Sequence, residues 1–185
     1  MMEIKLPPEV NYKKMTCWLW KFAIAIFRMN IEHKKPSISL TLYQSDIPQN
    51  VGAAMRLCAC LGIKLNLIEP FGFLWKEREF RRSAMDYIDL VDYERHMSWD
   101  KFQGQHNGRI ILMTAKGAVP YTDFKFQPGD TLMAGRESAG VPGDVHNVVD
   151  AGIYIPMHGQ ARSMNVINAS SMIMGEALRQ TKSTT

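Results

Sequence analysis

Strand-like and helix-like segments alternate along this chain from residue 37 onward, and this alternation restricts the fold more than any other feature. Apolar runs predict strands at residues 38–43, 64–68, 88–93, 109–114, 131–134 and 152–155. Helices are predicted at residues 48–61, 76–85, 98–103 and 163–180. Strands that alternate with helices predict an α/β fold, in which a mostly parallel sheet is covered by helices on both faces.

The domain is predicted to span residues 37–185, since a chain of 185 residues is hardly long enough for two cores. Residues 1–36 are predicted to be an N-terminal extension, either disordered or the product of a misassigned start codon, with the functional chain beginning near Met29. Residues 15–27 of this extension are apolar except for Thr16 and Lys21, but they are too few to cross a bilayer and no small-residue cleavage site follows. A helix on a membrane surface is the alternative for them.

The basic charge of the chain comes from its N-terminal extension. The chain has 22 Lys and Arg against 18 Asp and Glu, of which seven and three lie in residues 1–36, so fifteen of each remain in the domain. Net charge alone therefore does not indicate nucleic acid. Cys17, Cys58 and Cys60 cannot all pair, and free thiols in a reducing cytoplasm are expected.

Two tracts near the C-terminus, residues 132–143 and 153–165, each begin apolar and end abruptly in glycine, proline and polar residues. Parallel sheets bind ligands beyond the carboxyl ends of their strands, so these tracts predict one shared pocket. No glycine-rich dinucleotide motif, phosphate-binding loop or G-x-S-x-G elbow occurs. The five histidines are scattered without an H-x-x-x-H pair, so no metal site is expected.

Three segments carry a family resemblance: residues 47–56, 135–142 and 155–165. In order and spacing they resemble the three motifs of the SpoU branch of the SPOUT methyltransferases, and the resemblance covers residues 37–181. Residues 68–72 and 81–87 further resemble the TrmL-type tRNA 2'-O-methyltransferases, which act on the wobble nucleotide, nucleotide 34.

This resemblance implies a C-terminal trefoil knot, a rare exception among protein folds. It also implies S-adenosylmethionine as methyl donor, no metal, and a homodimer with active sites at the subunit interface. The expected reaction is methyl transfer to the ribose 2'-hydroxyl of C34 or U34 in a tRNA anticodon stem-loop. The alternatives are a SPOUT methyltransferase acting on another tRNA or rRNA position or on a base, and a non-catalytic RNA-binding dimer.

The resemblance also distributes roles among individual residues. The expected catalytic residues are Arg56, Asn50, Glu137 and Asn165. The expected cofactor contacts are Met113, Gly135, Ile155 and Ser163. The expected RNA contacts are Arg162, Arg81 and Arg82. The last two belong to a basic cluster, completed by Lys76 and Arg78, that would otherwise be a solvated helix face.

Physical chemistry suggests how these side chains act. The guanidinium of Arg56 is an awkward base, so it is expected to orient the hydroxyl and stabilise the developing alkoxide. Asn50 is expected to cap its helix, in addition to placing substrate or Arg56. Glu137 is expected to hold Arg56 or substrate. Ser163 and Asn165 are expected at the start of the last helix, where backbone N–H groups and a capping side chain can meet a polar ligand.

The chain departs from the family pattern at two places. Residues 134–137 read Ala-Gly-Arg-Glu where relatives often read Phe-Gly-Pro-Glu, so Arg136 is expected to place a charge beside the cofactor loop. Gly175 stands near the place of a tyrosine implicated in substrate contact in some relatives. The last helix also carries an apolar stripe that fits either a dimer face or a core face: Val166, Ala169, Ile173 and Ala177.

Overall fold

A computed structural model of the protein describes residues 37–76 and 85–181. In these residues the strands are β1 (Ser39–Tyr43), β2 (Lys64–Ile68), β3 (Tyr93–His96), β4 (Ile110–Met113), β5 (Val119–Pro120), β6 (Thr131–Ala134) and β7 (Ala151–Tyr154). The α-helices are α1 (Pro48–Leu61), α2 (Trp99–Gln105), α3 (Gly143–Val148) and α4 (Val166–Thr181). A short 3₁₀ helix spans Met85–Asp89.

The described strands form one parallel sheet in the order β3-β2-β1-β6-β4-β7-β5. The predicted α/β class is therefore confirmed. Because the strands run in the same direction, the loops that follow β1, β4, β6 and β7 all leave the sheet at one edge. The trefoil knot implied by the resemblance stays a prediction.

Helices cover both faces of the sheet, as the alternation predicts. Leu132 of β6 belongs to an apolar cluster that includes the buried sides of α1 and α4. Its neighbour Met133 lies on the opposite face, in a cluster with Phe102 of α2 and Val145 of α3. Since successive strand residues face opposite sides, both faces of β6 are buried, and each such side chain contributes roughly 1.5–3 kcal/mol through burial.

Helix α1 begins and ends where its sequence signals predict. Pro48 occupies its first turn, where the missing N–H leaves no hydrogen bond unmade. Gly62 ends it with φ 67, a left-handed conformation that costs glycine little. Cys58, on the buried side of this helix, is a free thiol, and Cys60 is a free and exposed one.

The strand predicted at residues 88–93 is wrong. Residues 85–89 form the 3₁₀ helix, and β3 starts only at Tyr93. Ile88 and Val91 are both buried, and their spacing of three residues fits the period of a 3₁₀ turn better than the period of a strand. The helix predicted at residues 76–85 lies mostly outside the described residues.

The last helix also differs from its prediction. It begins at Val166 and not at residue 163. Ile173 and Ala177 of its apolar stripe are buried in the chain's own core, so this part of the stripe is a core face. Val166 and Ala169 are half-buried, and a dimer face at that end of the helix stays a prediction. In the described part of the chain, no helix is both long and apolar enough to cross a membrane. The predictions made for residues 1–36 fall outside that part.

Candidate active site

A cavity of about 970 Å³ opens at the carboxyl edge of the sheet. Its walls come from the segments that follow β4, β6 and β7, together with the start of α1 and the first turns of α4. Leu112, Ala134 and Ile153 contribute an apolar floor, and the exposed cations Lys116 and Arg162 also line the cavity. The predicted pocket at the strand ends is therefore present.

The loop after β6 makes a tight turn at this cavity. Arg136 and Gly140 exchange two backbone hydrogen bonds of 2.9 and 2.8 Å, which close the turn. Gly135 precedes the turn, and a Cβ atom there would lie 2.6 Å from the carbonyl carbon of Gly140. Only glycine lets the two backbone segments approach this closely.

Glu137 projects from this turn toward the loop between β1 and α1. Its Oε1 accepts hydrogen bonds of 2.7 Å from the hydroxyl of Ser45 and from the side-chain amide of Asn50. Its Oε2 accepts a 2.7 Å hydrogen bond from the backbone N–H of Asp46. Bonds to a charged acceptor are stronger than neutral ones, so this carboxylate ties the two loops together.

Asn50 extends this connection to the last helix and does not cap α1. The N-cap position of α1 is Ile47, which makes no side-chain capping bond, so the capping role expected for Asn50 is wrong. Its amide is used instead in two other contacts, since Nδ2 donates to Glu137 and Oδ1 accepts a 3.1 Å bond from Asn165. The three motif segments are thus joined through the side chains of Glu137, Asn50 and Asn165.

Asn165 caps α4, in agreement with the sequence. Its Oδ1 accepts hydrogen bonds from the backbone N–H groups of Ile167 at 2.8 Å and Asn168 at 3.4 Å. These donors have no partner inside the helix, so a side-chain acceptor stabilises them.

Replacing Asn165 with alanine is expected to lower the free energy of unfolding by about 1 kcal/mol, because two N–H groups of α4 lose their acceptor. Asn165→Ser retains a good capping residue and loses the same bond to Asn50, so it should be about 1 kcal/mol more stable than the alanine variant. Urea denaturation with an unchanged slope measures both values. An alanine variant as stable as the wild type would contradict the capping role.

Arg136, whose charge was expected beside the cofactor loop, directs its guanidinium group toward Asp46. Its Nη2 and Nε donate to Oδ1 of Asp46 at 2.6 and 3.2 Å, and Oδ2 of the same carboxylate accepts from the N–H and hydroxyl of Ser138. Neither Asp46 nor Ser138 was among the predicted site residues. The available signal was the run of polar residues 44–46 directly after β1.

Most of the predicted site residues meet at the cavity. Eight of them line it: Asn50, Met113, Gly135, Glu137, Ile155, Arg162, Ser163 and Asn165. Arg81 and Arg82 lie outside the described residues. No group of three or more histidine, cysteine, aspartate or glutamate side chains that could hold a metal ion occurs among residues 37–76 and 85–181.

Among the predicted site residues that the structure describes, Arg56 is the exception. It lies on α1, is exposed, and does not line the cavity of its own chain. Its guanidinium carbon lies 5.2 Å from the centroid of the Tyr87 ring, a distance typical of a cation–π contact. Arg56 follows Asn50 by six residues, which places the two about a third of a turn apart around the helix.

The domain matches a known family over most of its length. The model of the SpoU rRNA Methylase family matches residues 37–175. The chain belongs to the SpoU methylase family. This membership agrees with the order of the three motif segments and with their meeting at one cavity.

Relatives within the SpoU family align with this chain over nearly the whole of their own length. A tRNA (cytidine(34)-2'-O)-methyltransferase of Beijerinckia indica is 51% identical over 144 residues, which span 76% of this chain and 90% of the relative. The enzyme of the same name from Escherichia coli K12 is 37% identical, over 77% of this chain and 93% of the relative. A solved structure from work on the 2-OH methylation of C/U34 on tRNA superposes with a TM-score of 0.73 at 36% identity, over 77% of this chain and 95% of that one.

Proposed function

We propose that this protein transfers a methyl group from S-adenosylmethionine to the ribose 2'-hydroxyl of the wobble nucleotide, C34 or U34, of tRNA. The observation that carries the proposal is the side-chain connection from Glu137 through Asn50 to Asn165, which brings the three SpoU motif segments to one cavity. The substrate class follows from relatives named for this activity that align over at least 90% of their own length.

The residues of the cavity fit S-adenosylmethionine. A volume of about 970 Å³ is within the range of ligand pockets, roughly 300–1,000 Å³. The apolar wall, which includes Met113 and Ile155, suits an adenine ring. Lys116 and Arg162 are cations that suit the cofactor's carboxylate or an RNA phosphate. When bound, the cofactor supplies a methyl group on a sulfonium.

The chain's own residues orient the accepting hydroxyl. Glu137, Asn50 and Asn165 hold one another at the cavity, so little reorganisation is needed as charge develops on the hydroxyl oxygen. Arg56, which lies outside its own cavity, is proposed to act in the cavity of the partner in a homodimer. Arg162 is proposed to contact a phosphate of the anticodon stem-loop, and the enzyme is proposed to work in the cytoplasm.

Nucleoside mass spectrometry of tRNA from a deletion strain tests the proposed reaction. The 2'-O-methyl group at nucleotide 34 should be absent from at least one tRNA and should return when the gene is restored. Purified protein should also methylate that tRNA, when it is isolated from the deletion strain, in the presence of S-adenosylmethionine. A loss confined to another tRNA position or to rRNA would contradict the wobble assignment, and rRNA is the class to examine next, because the matched family is named for rRNA methylation.

Replacing Gly135 with alanine is expected to weaken S-adenosylmethionine binding at least about tenfold, because the new Cβ would displace the backbone of Gly140 and reshape the cavity wall. Isothermal titration calorimetry of the purified variant measures this loss. Gly104→Ala is the matched control, since Gly104 lies on α2 away from the cavity and its Cβ would meet no atom within 4 Å. Equal affinity in both variants would count against the cofactor site.

A further inference from the structure

Two carboxylates, one from each loop, connect the loop after β1 with the loop after β6. Glu137 of the second loop accepts hydrogen bonds from Ser45 and Asp46 of the first loop and from Asn50 at the start of α1. Asp46 of the first loop reaches back in the opposite direction. Each loop is therefore fixed by an acid that belongs to the other.

Asp46 holds the residues on both sides of Glu137. Its Oδ1 accepts two bonds from the guanidinium of Arg136, and its Oδ2 accepts a 3.1 Å bond from the N–H and a 2.6 Å bond from the hydroxyl of Ser138. We name these four bonds the Asp46 clamp. Because residues 136 and 138 are bound to one carboxylate, the backbone of Glu137 between them has little freedom to turn.

The charges in the clamp favour its persistence at ordinary pH. Hydrogen bonds from the Arg136 guanidinium, and then from Ser138, lower the pKa of Asp46 from 3.8 to about 2. The same contact raises the pKa of Arg136. A depressed carboxyl pKa contributes stability that is complete above the unfolded value, near pH 4, and is lost as the pH falls through 2. The clamp is thus fully ionised wherever methyl transfer would be assayed.

We propose that Asp46 and Arg136 are positioning residues, which set the Glu137 carboxylate and, through it, the Asn50 amide for methyl transfer. This inference rests on the proposed function of the same cavity. Arg136 lines the cavity, but its guanidinium donates to Asp46, so its contribution is to the geometry of the loop. Small displacements of a positioned group can cost about a hundredfold in rate, so loss of the clamp is expected to lower turnover.

Four variants test the clamp: Asp46→Asn, Arg136→Leu, the double variant and Arg136→Lys. Each single variant that breaks the pair is expected to lower kcat for tRNA methylation at least about tenfold, with the Kd for S-adenosylmethionine within about threefold. The double variant should be no worse than the poorer single one within about twofold, since both changes remove the same contact. Arg136→Lys retains one charged donor and should recover at least about threefold over Arg136→Leu.

Arg179→Leu is the matched control. It removes an ion pair of the same chemistry, the 2.7 Å contact between Arg179 and Glu176 on α4, and the pKa of Glu176 is likewise lowered to about 2 by its bonds from Arg179 and Gln180. These residues do not line the cavity. The control should keep kcat within about twofold of the wild type.

Three results would overturn the inference: single variants within about threefold of wild-type kcat, losses that multiply in the double variant, or a lower melting temperature with unchanged kcat. Carboxyl ¹³C NMR reports on the clamp without using activity. The Asp46 signal should titrate near pH 2 in the wild type and at a higher pH in Arg136→Leu, where only the bonds from Ser138 still lower the pKa of Asp46. A wild-type protein that passes this NMR test but neither binds S-adenosylmethionine nor methylates tRNA would defeat the proposed function, and with it the clamp's role in catalysis. A wild-type midpoint near 4 would defeat the clamp alone.

Discussion

Arg56→Ala is expected to lower the rate of wobble methylation at least about a hundredfold, because removing one preorganised stabiliser of developing charge typically costs 10²–10³-fold. Arg56 is an exposed residue of α1 with its guanidinium over the Tyr87 ring, so its loss should leave the core intact. Single-turnover kinetics at saturating S-adenosylmethionine measure the effect. Arg56→Lys keeps the charge but loses the planar fork, and it should give an intermediate rate.

A subunit-mixing experiment decides where Arg56 acts. In the proposed homodimer, each cavity contains its own Glu137 and receives Arg56 from the partner. Inactive Arg56→Ala and Glu137→Gln proteins should therefore regain activity when they are mixed and allowed to exchange subunits, since one cavity of each heterodimer is complete. Random exchange predicts about a quarter of wild-type activity.

If the mixed proteins regain no activity, Arg56 acts in the cavity of its own subunit or takes no part in catalysis. If each subunit used its own Arg56, no heterodimer would contain a complete site, and mixing would restore nothing. Arg56→Ala within about threefold of the wild type would remove the residue from the mechanism altogether. Arg179→Ala, which removes an exposed arginine from a different helix, controls for a general effect of lost positive charge on RNA binding.

The elements that were predicted well carry strong local signals. The bounds of α1, β2 and β6 agree with the sequence, because proline and glycine bound the helix and because the two strands are short apolar runs with clear ends. The elements that were missed have little signal of their own. Strand β5 has two residues and exists only through its pairing with β7, and α3 has six residues. Long-range pairing cannot be read from such short segments.

The candidate site shows the same division between local and distant information. The three motif segments placed seven residues at the cavity, and the end of β4 placed Met113, since each of these segments ends or follows a strand and parallel strands end at one edge. Side-chain partners could not be predicted in this way. Asp46 and Arg136 are separated by 90 positions, and nothing local joins them. Asn50 was expected to cap α1 because asparagine near the start of a helix is typical of a capping residue. An asparagine that instead bridges two other groups through its amide looks the same in the sequence.

Glu137→Gln is expected to lower kcat about a hundredfold, because an amide cannot replace a carboxylate that accepts three hydrogen bonds and donates none. The free energy of unfolding should fall by about 1–3 kcal/mol, the cost of a polar group left without its partner. Rapid-quench kinetics and urea denaturation measure the two effects. Glu94→Gln is the control, since Glu94 pairs with Lys64 in an exposed contact outside the cavity.

The hydrogen-bond network leaves a glutamine at position 137 no satisfactory orientation. If its NH₂ group replaces Oε2, it meets the backbone N–H of Asp46, which cannot reverse. If the NH₂ group replaces Oε1, it meets the Asn50 amide, which can reverse only by turning its own NH₂ toward Nδ2 of Asn165. That reversal strains the contact between α1 and the residue that caps α4. The substitution therefore disturbs all three motif segments. A Glu137→Gln variant that kept kcat within about threefold of the wild type would mean that the carboxylate serves only to join two loops.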